Sequence, residues 1–209
     1  MEKQEIRTFG RRHGKKLSAR KESLVRDTLP ALCPRANEKI DILEIGFGSG
    51  EHVRELAIAN PNCIILGAEP FMNGVAALLS GICDENGAVL DEYKNIRIFP
   101  DDVRIVLNGG EFGFSEIWIL HPDPWPKARH EKRRLLNANF LNLLSKNLAT
   151  DGKIIIGTDH WEYYDWILAQ VKNTNLCETN LSHNIIQTRY QKKNMAGTAE
   201  PKYIILSRR

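Results

Sequence analysis

The stretch His121-Pro122-Asp123-Pro124-Trp125-Pro126-Lys127-Ala128-Arg129-His130-Glu131-Lys132-Arg133-Arg134 puts a carboxylate, a large aromatic face and a block of cations directly after the apolar run Ile117-Trp118-Ile119-Leu120. The run reads as a buried parallel strand. Three prolines then forbid both a ladder and a helix until about Lys127, because each lacks an amide proton and fixes φ. Asp123 and Trp125 must therefore sit on a rigid loop at a strand's carboxyl end, where open α/β sheets bind ligands. The combination suits nucleic acid: cations meet phosphate and the indole offers a stacking face. Taken singly, Asp123 also reads as a turn residue between prolines, and Trp125 either stacks on an extruded base or packs beneath its loop.

A second constellation lies upstream, where Asp41-Ile42-Leu43-Glu44-Ile45 runs into Gly46-Phe47-Gly48-Ser49-Gly50. Glycines let the backbone turn sharply and approach a ligand, and the helix that follows offers free amides. The spacing G-x-G-x-G differs from the dinucleotide fingerprint G-x-G-x-x-G, and no Lys-Ser/Thr pair is present for a triphosphate. A carboxylate ahead of the loop, Glu44, suits a ligand bearing an ammonium group. Glu69 follows Gly50 by 19 residues, about where an acidic side chain holds a ribose diol. Asp101 or Asp102, after the next strand, could orient an adenine's exocyclic amine. Together these residues describe a site for S-adenosylmethionine, while Glu44 and Glu69 taken alone also read as caps on strand ends.

The elements that must position these groups alternate along the chain. A helical pattern over Ser18–Leu29, closed by Pro30 and Pro34, precedes a strand Ile40–Ile45, a helix Glu51–Ala59, a strand Cys63–Ala68 and a helix Phe71–Ile82. A strand Ile96–Phe99, a short helix Asp102–Leu107, a strand Glu116–Leu120 and a long helix Lys132–Leu148 follow. A strand Lys153–Gly157, a helix Trp161–Lys172 and two short β runs near Leu176–Leu181 and Tyr203–Leu206 complete the pattern. Alternation of this kind predicts an α/β fold with a Rossmann-like, doubly wound, mostly parallel sheet. Trp118 alternates with Ile117 and Ile119 and belongs to the core; Trp161 and Trp166 are expected to anchor their helix.

The 209 residues suffice for one domain with a full core, expected over 18–209 and preceded by a basic, mobile arm over 1–17. The net charge of +3 conceals two concentrations. Residues 1–21 carry eight Lys and Arg against two acids, and residues 127–134 carry five against one. Binding through such patches weakens steeply with salt. The arm is expected to serve RNA and to leave the cofactor alone; a solvated helix face with a frayed tail is the plainer alternative. No apolar run approaches the roughly 18 residues of a membrane helix and no secretory signal is visible, so a cytoplasmic protein is expected. Cys33, Cys63, Cys83 and Cys177 lie far apart and read as reduced thiols. His121, His130 and His160 fall in neighbouring loops, but methyl transfer needs no Lewis acid and no metal site is expected.

The glycine loop, Glu69, the Pro-Asp-Pro-Trp loop and the basic block, in this order, resemble bacterial tRNA guanine-N7 methyltransferases from about Arg7 to the carboxyl terminus. The glycine loop is shared by many methyltransferases. Pro122 to His130 with Lys132-Arg133-Arg134 is very specific, and Gly157-Thr158-Asp159 and Thr188-Arg189-Tyr190 fall where the family has its T-D and T-[KR]-[FY]-E elements. The resemblance implies the seven-stranded sheet of class I methyltransferases and S-adenosylmethionine as cofactor. It implies tRNA as partner and substrate, with the variable-loop guanosine at tRNA position 46 as target. It implies a pocket lined by Glu44, Gly46, Gly48, Gly50, Glu69, Asp101, Asp102 and Asp123, with Asp123 as the catalytic acidic residue. Lys127 and Asp159 would touch the substrate, Arg129, His130, Lys132, Arg133 and Arg134 would contact RNA, and Thr188, Arg189, Tyr190 and Gln191 would close the site. Two departures stand out: Gln191 occupies a family glutamate position, and Ala68-Glu69-Pro70 replaces Ile-Glu-Val. By spacing, Asp101 matches the family's acidic position better than Asp102. A methyltransferase acting on another substrate and a tRNA-binding module without chemistry are the alternatives. Monomer and homodimer both stay open.

Overall fold

A computed structural model describes residues 8–10, 12–180 and 201–209. Seven strands form one sheet in the order β3-β2-β1-β4-β5-β7-β6. They are β1 (Ile42–Ile45), β2 (Ile65–Ala68), β3 (Ile96–Phe99), β4 (Phe114–Leu120), β5 (Leu148–Thr158), β6 (Leu176–Glu178) and β7 (Lys202–Arg208). Neighbouring strands among β1 to β5 pair in parallel, and β7 alone runs antiparallel, between β5 and β6. Strand order reverses between β1 and β4. The crevice at their carboxyl ends is the ligand position of a doubly wound sheet.

Helices cover both faces, so the strands are mainly apolar and their alternate side chains enter separate cores. Leu43, Ile45, Ile117, Ile119, Ile154 and Ile156 pack against α5 (Val103–Leu107), α6 (Ala138–Lys146) and α7 (Trp161–Val171). Ile42, Trp118 and Ile155 point the other way, toward α3 (Glu51–Ala59), α4 (Met72–Ile82) and the amino-terminal helical run. That run is α1 (Ala19–Ser23), a π-helical stretch Leu24–Thr28 and α2 (Leu29–Leu32). Trp118 is core, as expected, with its indole N–H donating to Glu116 Oε2 at 2.7 Å.

Boundaries differ from the sequence reading at three places that matter. Pro30 does not close the first helix; it falls in the opening turn of α2, where its missing donor costs nothing. β5 begins at Leu148, which pairs with Phe114 across an irregularity in β4. The helix expected from Lys132 starts only at Ala138, because Asn137 caps it by accepting from Phe140 N at 3.1 Å. Ala128–Arg133 instead forms a 3₁₀ segment, so the cations belong to the loop and not to the helix. Among the described residues, no helix is long and apolar enough to cross a membrane.

Candidate active site

Gly46, Gly48 and Gly50 all hold positive φ, +73°, +58° and +78°, a region L side chains rarely adopt. Their loop is fixed by hydrogen bonds from Gly46 N to Ala68 O at 2.8 Å and from Gly50 N to Phe47 O at 2.9 Å. Glu69, 7% exposed, accepts from Gly48 N at 2.8 Å and from Phe71 N at 2.9 Å. The carboxylate at the end of β2 thus ties the loop after β1 to the start of α4. Burial pushes its pKa above the usual range; the two backbone donors offset this only partly, and Glu44 and Asp123 add to the rise. A carboxylate offers about four lone-pair sites, which leaves two for a ligand's hydroxyls.

Gly74 makes this arrangement possible. A Cβ there would stand 2.3 Å from the Gly48 carbonyl oxygen, so α4 approaches the loop as closely as backbone permits. A glycine inside an otherwise helical pattern was the sequence signal for this contact.

A cavity of about 920 Å³ opens on the α5–α6 side of the sheet. Gly46, Glu69, Asp102, Asp123 and Trp125 all line it, so the proline loop and the glycine bend share one crevice. Asp123 is exposed at its mouth, with no hydrogen bond from another described residue. The loop carrying it holds His121 and Trp125 at positive φ, +51° and +42°. His121 N donates to Gly157 O at 2.7 Å and anchors the loop to β5.

Several expected residues are placed differently. Glu44 is buried on the α3 side, accepting from His52 Nδ1 at 2.9 Å, and is absent from the cavity wall. Strand alternation explains it: Leu43 and Ile45 take the opposite face. Asp102, and not Asp101, lines the cavity. Asp102 caps α5 and accepts from Arg104 Nη2 at 2.6 Å and Thr8 Oγ1 at 2.7 Å. Burial raises its pKa, yet the hydrogen bonds from Arg104 and Thr8 outweigh it and hold the carboxyl below its ordinary value. Asp101 pairs with Arg12 at 2.6 Å. Asp159 sits at the end of β5 with His121 Nδ1 at 3.8 Å, outside the cavity wall.

The cations separate into roles. Lys127, Arg129 and Lys132 are exposed. Arg133 lies over the Trp125 ring at 4.9 Å and the Phe9 ring at 5.7 Å. Arg134 departs from the expected row of RNA-facing cations. It is 8% exposed, donates to Pro124 O at 2.9 Å, and rests on Trp166 at 5.0 Å. His130 meets the Trp125 edge at 5.7 Å, and slight desolvation with nearby Arg133, Arg129 and Lys127 pushes its pKa down. Trp125 therefore packs with Arg133 and His130 while still facing the cavity. Trp161, expected to anchor α7, is 52% exposed with Lys202 Nζ 3.3 Å above its ring. Thr188, Arg189, Tyr190 and Gln191 lie outside the described residues.

Sequence reasoning missed Thr8, Phe9 and Arg104, all on the cavity wall. Residues 12–15 of the expected arm lie against the body: Met72 N donates to Arg12 O at 3.0 Å, and Asn73 bridges Gly14 N and Lys15 O. Nothing periodic marked those residues.

The fold and the crevice are those of a class I methyltransferase. Among solved structures, the chain resembles a protein described as an antibiotic-related methyltransferase, with TM-score 0.57, 14% identity, and coverage of 93% of this chain and 97% of the other. An S-adenosylmethionine-dependent O-methyltransferase from Thermotoga maritima matches with TM-score 0.53 and 13% identity, over 93% of this chain and 67% of the other. The family model described as "Putative methyltransferase" matches residues 38–204. Proteins named tRNA (guanine-N(7)-)-methyltransferase share more. The one from Rhodospirillum rubrum is 35% identical over 99% of this chain and 89% of its own length. That from Paramagnetospirillum magneticum is 32% identical over 97% and 93%. That from Wolbachia pipientis is 40% identical over 64% of this chain and 58% of its own length. The chain belongs to the tRNA (guanine-N7-)-methyltransferase family.

Proposed function

We propose that the protein methylates guanine N7 in tRNA, at the variable-loop guanosine of position 46, with S-adenosylmethionine as donor. The observation that carries the reading is the shared cavity, in which Asp123 stands on the same crevice as Gly46 and Glu69. When bound, the cofactor supplies an activated methyl on a sulfonium.

The chain's own groups divide the work. With the Gly46, Gly48 and Gly50 amides spent on shaping the loop, the first backbone amides of α3 receive the methionyl end, and Glu69 accepts from the ribose diol. Asp102, with Thr8 and Val103, walls the adenine side. Guanine N7 is an acceptor lone pair that needs no base to activate it, so catalysis is chiefly alignment, which supplies up to roughly 7–11 kcal/mol in favourable cases. Positive charge arrives on the purine ring with the methyl. Asp123, exposed and without a partner among the described residues, stabilises that cation and accepts from guanine N1 and N2. Asp159, held near His121, is the second acceptor. Lys127, Arg129 and Lys132 meet the phosphates around the extruded base, while Arg134 braces the loop from within.

The deciding experiment is nucleoside analysis of tRNA incubated with the protein and methyl-labelled cofactor. Labelled 7-methylguanosine is expected from wild-type tRNA and none from tRNA with adenosine at position 46. Label in both, or in neither, refutes the assignment.

A further inference from the structure

The cavity does not end at the cofactor crevice. It continues as a groove between α5 and α6, walled by Arg104 and Asn108 on one side and by Asn139, Asn142, Leu143 and Lys146 on the other. The four α6 residues are spaced i, i+3, i+4, i+7 and so form one stripe. It is a different stripe from the buried Phe140, Leu141, Leu144 and Ser145. From Asn139 to Lys146 the stripe runs about 10 Å along the helix, at roughly 1.5 Å per residue.

Its chemistry differs from that of the inner cavity. The cavity's acidic residues, Glu69, Asp102 and Asp123, all lie at the crevice, and none lies along the groove. The side-chain amides of Asn108, Asn139 and Asn142 have no hydrogen-bond partner among the described residues, and Lys146 has no acidic partner there. On the α6 wall two such amides and the Lys146 ammonium, faced across the groove by the Asn108 amide, are arranged to receive an anionic, hydrogen-bonding chain. Lys132 and Arg133, on the same cavity's wall, join the groove to the loop bearing Asp123.

We propose that the α5–α6 groove is a second RNA subsite, which holds the backbone of the strand flanking the target guanosine while the base enters the crevice. The inference rests on the tRNA reading above. A run of about 10 Å is longer than one nucleotide step of a strand, whose axial rise alone is roughly 3.4 Å in a stacked duplex. The amides hydrogen-bond ribose hydroxyls and phosphate oxygens, and Lys146 neutralises one phosphate.

The test uses the full chain and unmodified tRNA, with binding followed by fluorescence anisotropy across a salt series. Lys146→Gln is expected to lower the slope of log affinity against log salt by about 0.7–0.9, the loss of one phosphate contact, and Lys146→Arg to restore it. Asn139→Ala with Asn142→Ala should weaken tRNA binding about fivefold or more while S-adenosylmethionine affinity by calorimetry stays at the wild-type value. Unchanged tRNA affinity and slope in all variants overturns the subsite and leaves the groove to a protein or small-molecule partner. Weakened cofactor binding in the asparagine variant overturns it too, assigning the groove to the cofactor. Wild-type methylation of tRNA is measured alongside: its absence refutes the tRNA reading itself, whereas intact methylation with unchanged slopes refutes the groove alone.

Discussion

Replacing Gly74 with alanine places one methyl group where α4 meets the glycine loop. The added Cβ would lie 2.3 Å from the Gly48 carbonyl oxygen, 3.2 Å from Gly48 C and 3.3 Å from Glu69 Cγ. Carbon–oxygen contacts settle at about 3.3–3.6 Å, so backbone must move by about 1 Å. The helix is packed into the core, whereas Gly48 is exposed between the buried Phe47 and Gly50, so Gly48 yields. Its N–H then leaves Glu69 Oε2, now 2.8 Å away, a hydrogen bond to a charged group worth about 1.5–3 kcal/mol. Alanine's helix propensity returns about 1 kcal/mol. The net loss is about 0.5–2 kcal/mol, or a fall in Tm of roughly 1–8 °C for a chain of this size. Cofactor affinity should suffer more, because a 1 Å misplacement at a binding or reacting centre can cost about a hundredfold. Gly81, in the same helix, is the control: the nearest atoms to a Cβ there belong to the flexible Arg54 side chain, Nη1 at 3.1 Å, which swings aside. Calorimetric titration with S-adenosylmethionine and thermal melts of both variants decide the matter. Normal cofactor binding by Gly74→Ala, or equal losses in Gly74→Ala and Gly81→Ala, would refute the close-approach argument.

Other consequences follow from the same geometry. Asp123→Asn should lower methyl transfer by at least a hundredfold at unchanged cofactor affinity, and unaltered turnover in a single-turnover assay removes Asp123 from the chemistry. Arg134→Ala should cost about 3 kcal/mol through its charged hydrogen bonds to the loop and its seat on Trp166, and Arg134→Lys should not recover it, since a lysine lacks the fork; melts that match wild type contradict the bracing role. Glu69 carries a raised folded-state pKa, so the folded protein binds its proton more tightly than the unfolded chain. Its contribution to stability is therefore present below the unfolded value near 4.3 and is lost as pH rises through the raised one. Cofactor hydroxyls favour the ionised form, so affinity should climb with pH across that window and Glu69→Gln should flatten the climb; identical profiles exclude the diol contact. Asp102 has the opposite sign: its folded pKa is depressed, and its stabilisation disappears only as pH falls below its unfolded value through the folded one.

The sheet and both ligand loops were legible because each rests on a local rule. Apolar runs of four to seven residues make buried strands, and glycines or prolines after β1 and β4 leave the chain no option but to turn. The crevice itself followed from strand order. What escaped depended on side chains reaching across the fold. A single asparagine, Asn137, moved the start of α6 by six residues from the expected Lys132. The alternation along β1 puts Glu44 on the α3 side, against His52, a placement its position before the glycines did not reveal. Arg134 and Lys132 are indistinguishable in a run of cations, and only the nearby Trp166 and Pro124 carbonyl separate the buried brace from the exposed contact. Thr8 and Phe9 left no periodic signal, because an extended segment clasping three loop ends obeys no repeat.

That clasp bears on how the molecule is made. Thr8 and Asp102 are separated by 94 residues, and Phe9 must wait longer still for Arg133. At about 5–20 residues per second, Thr8 waits about 5–20 s after its own synthesis before Asp102 exists. Entropy of closing so long a loop then sets the attachment among the final steps. The segment bearing Thr8 and Phe9 is thus made early and docks late, and the cavity gains that part of its wall only after the middle of the sheet is in place.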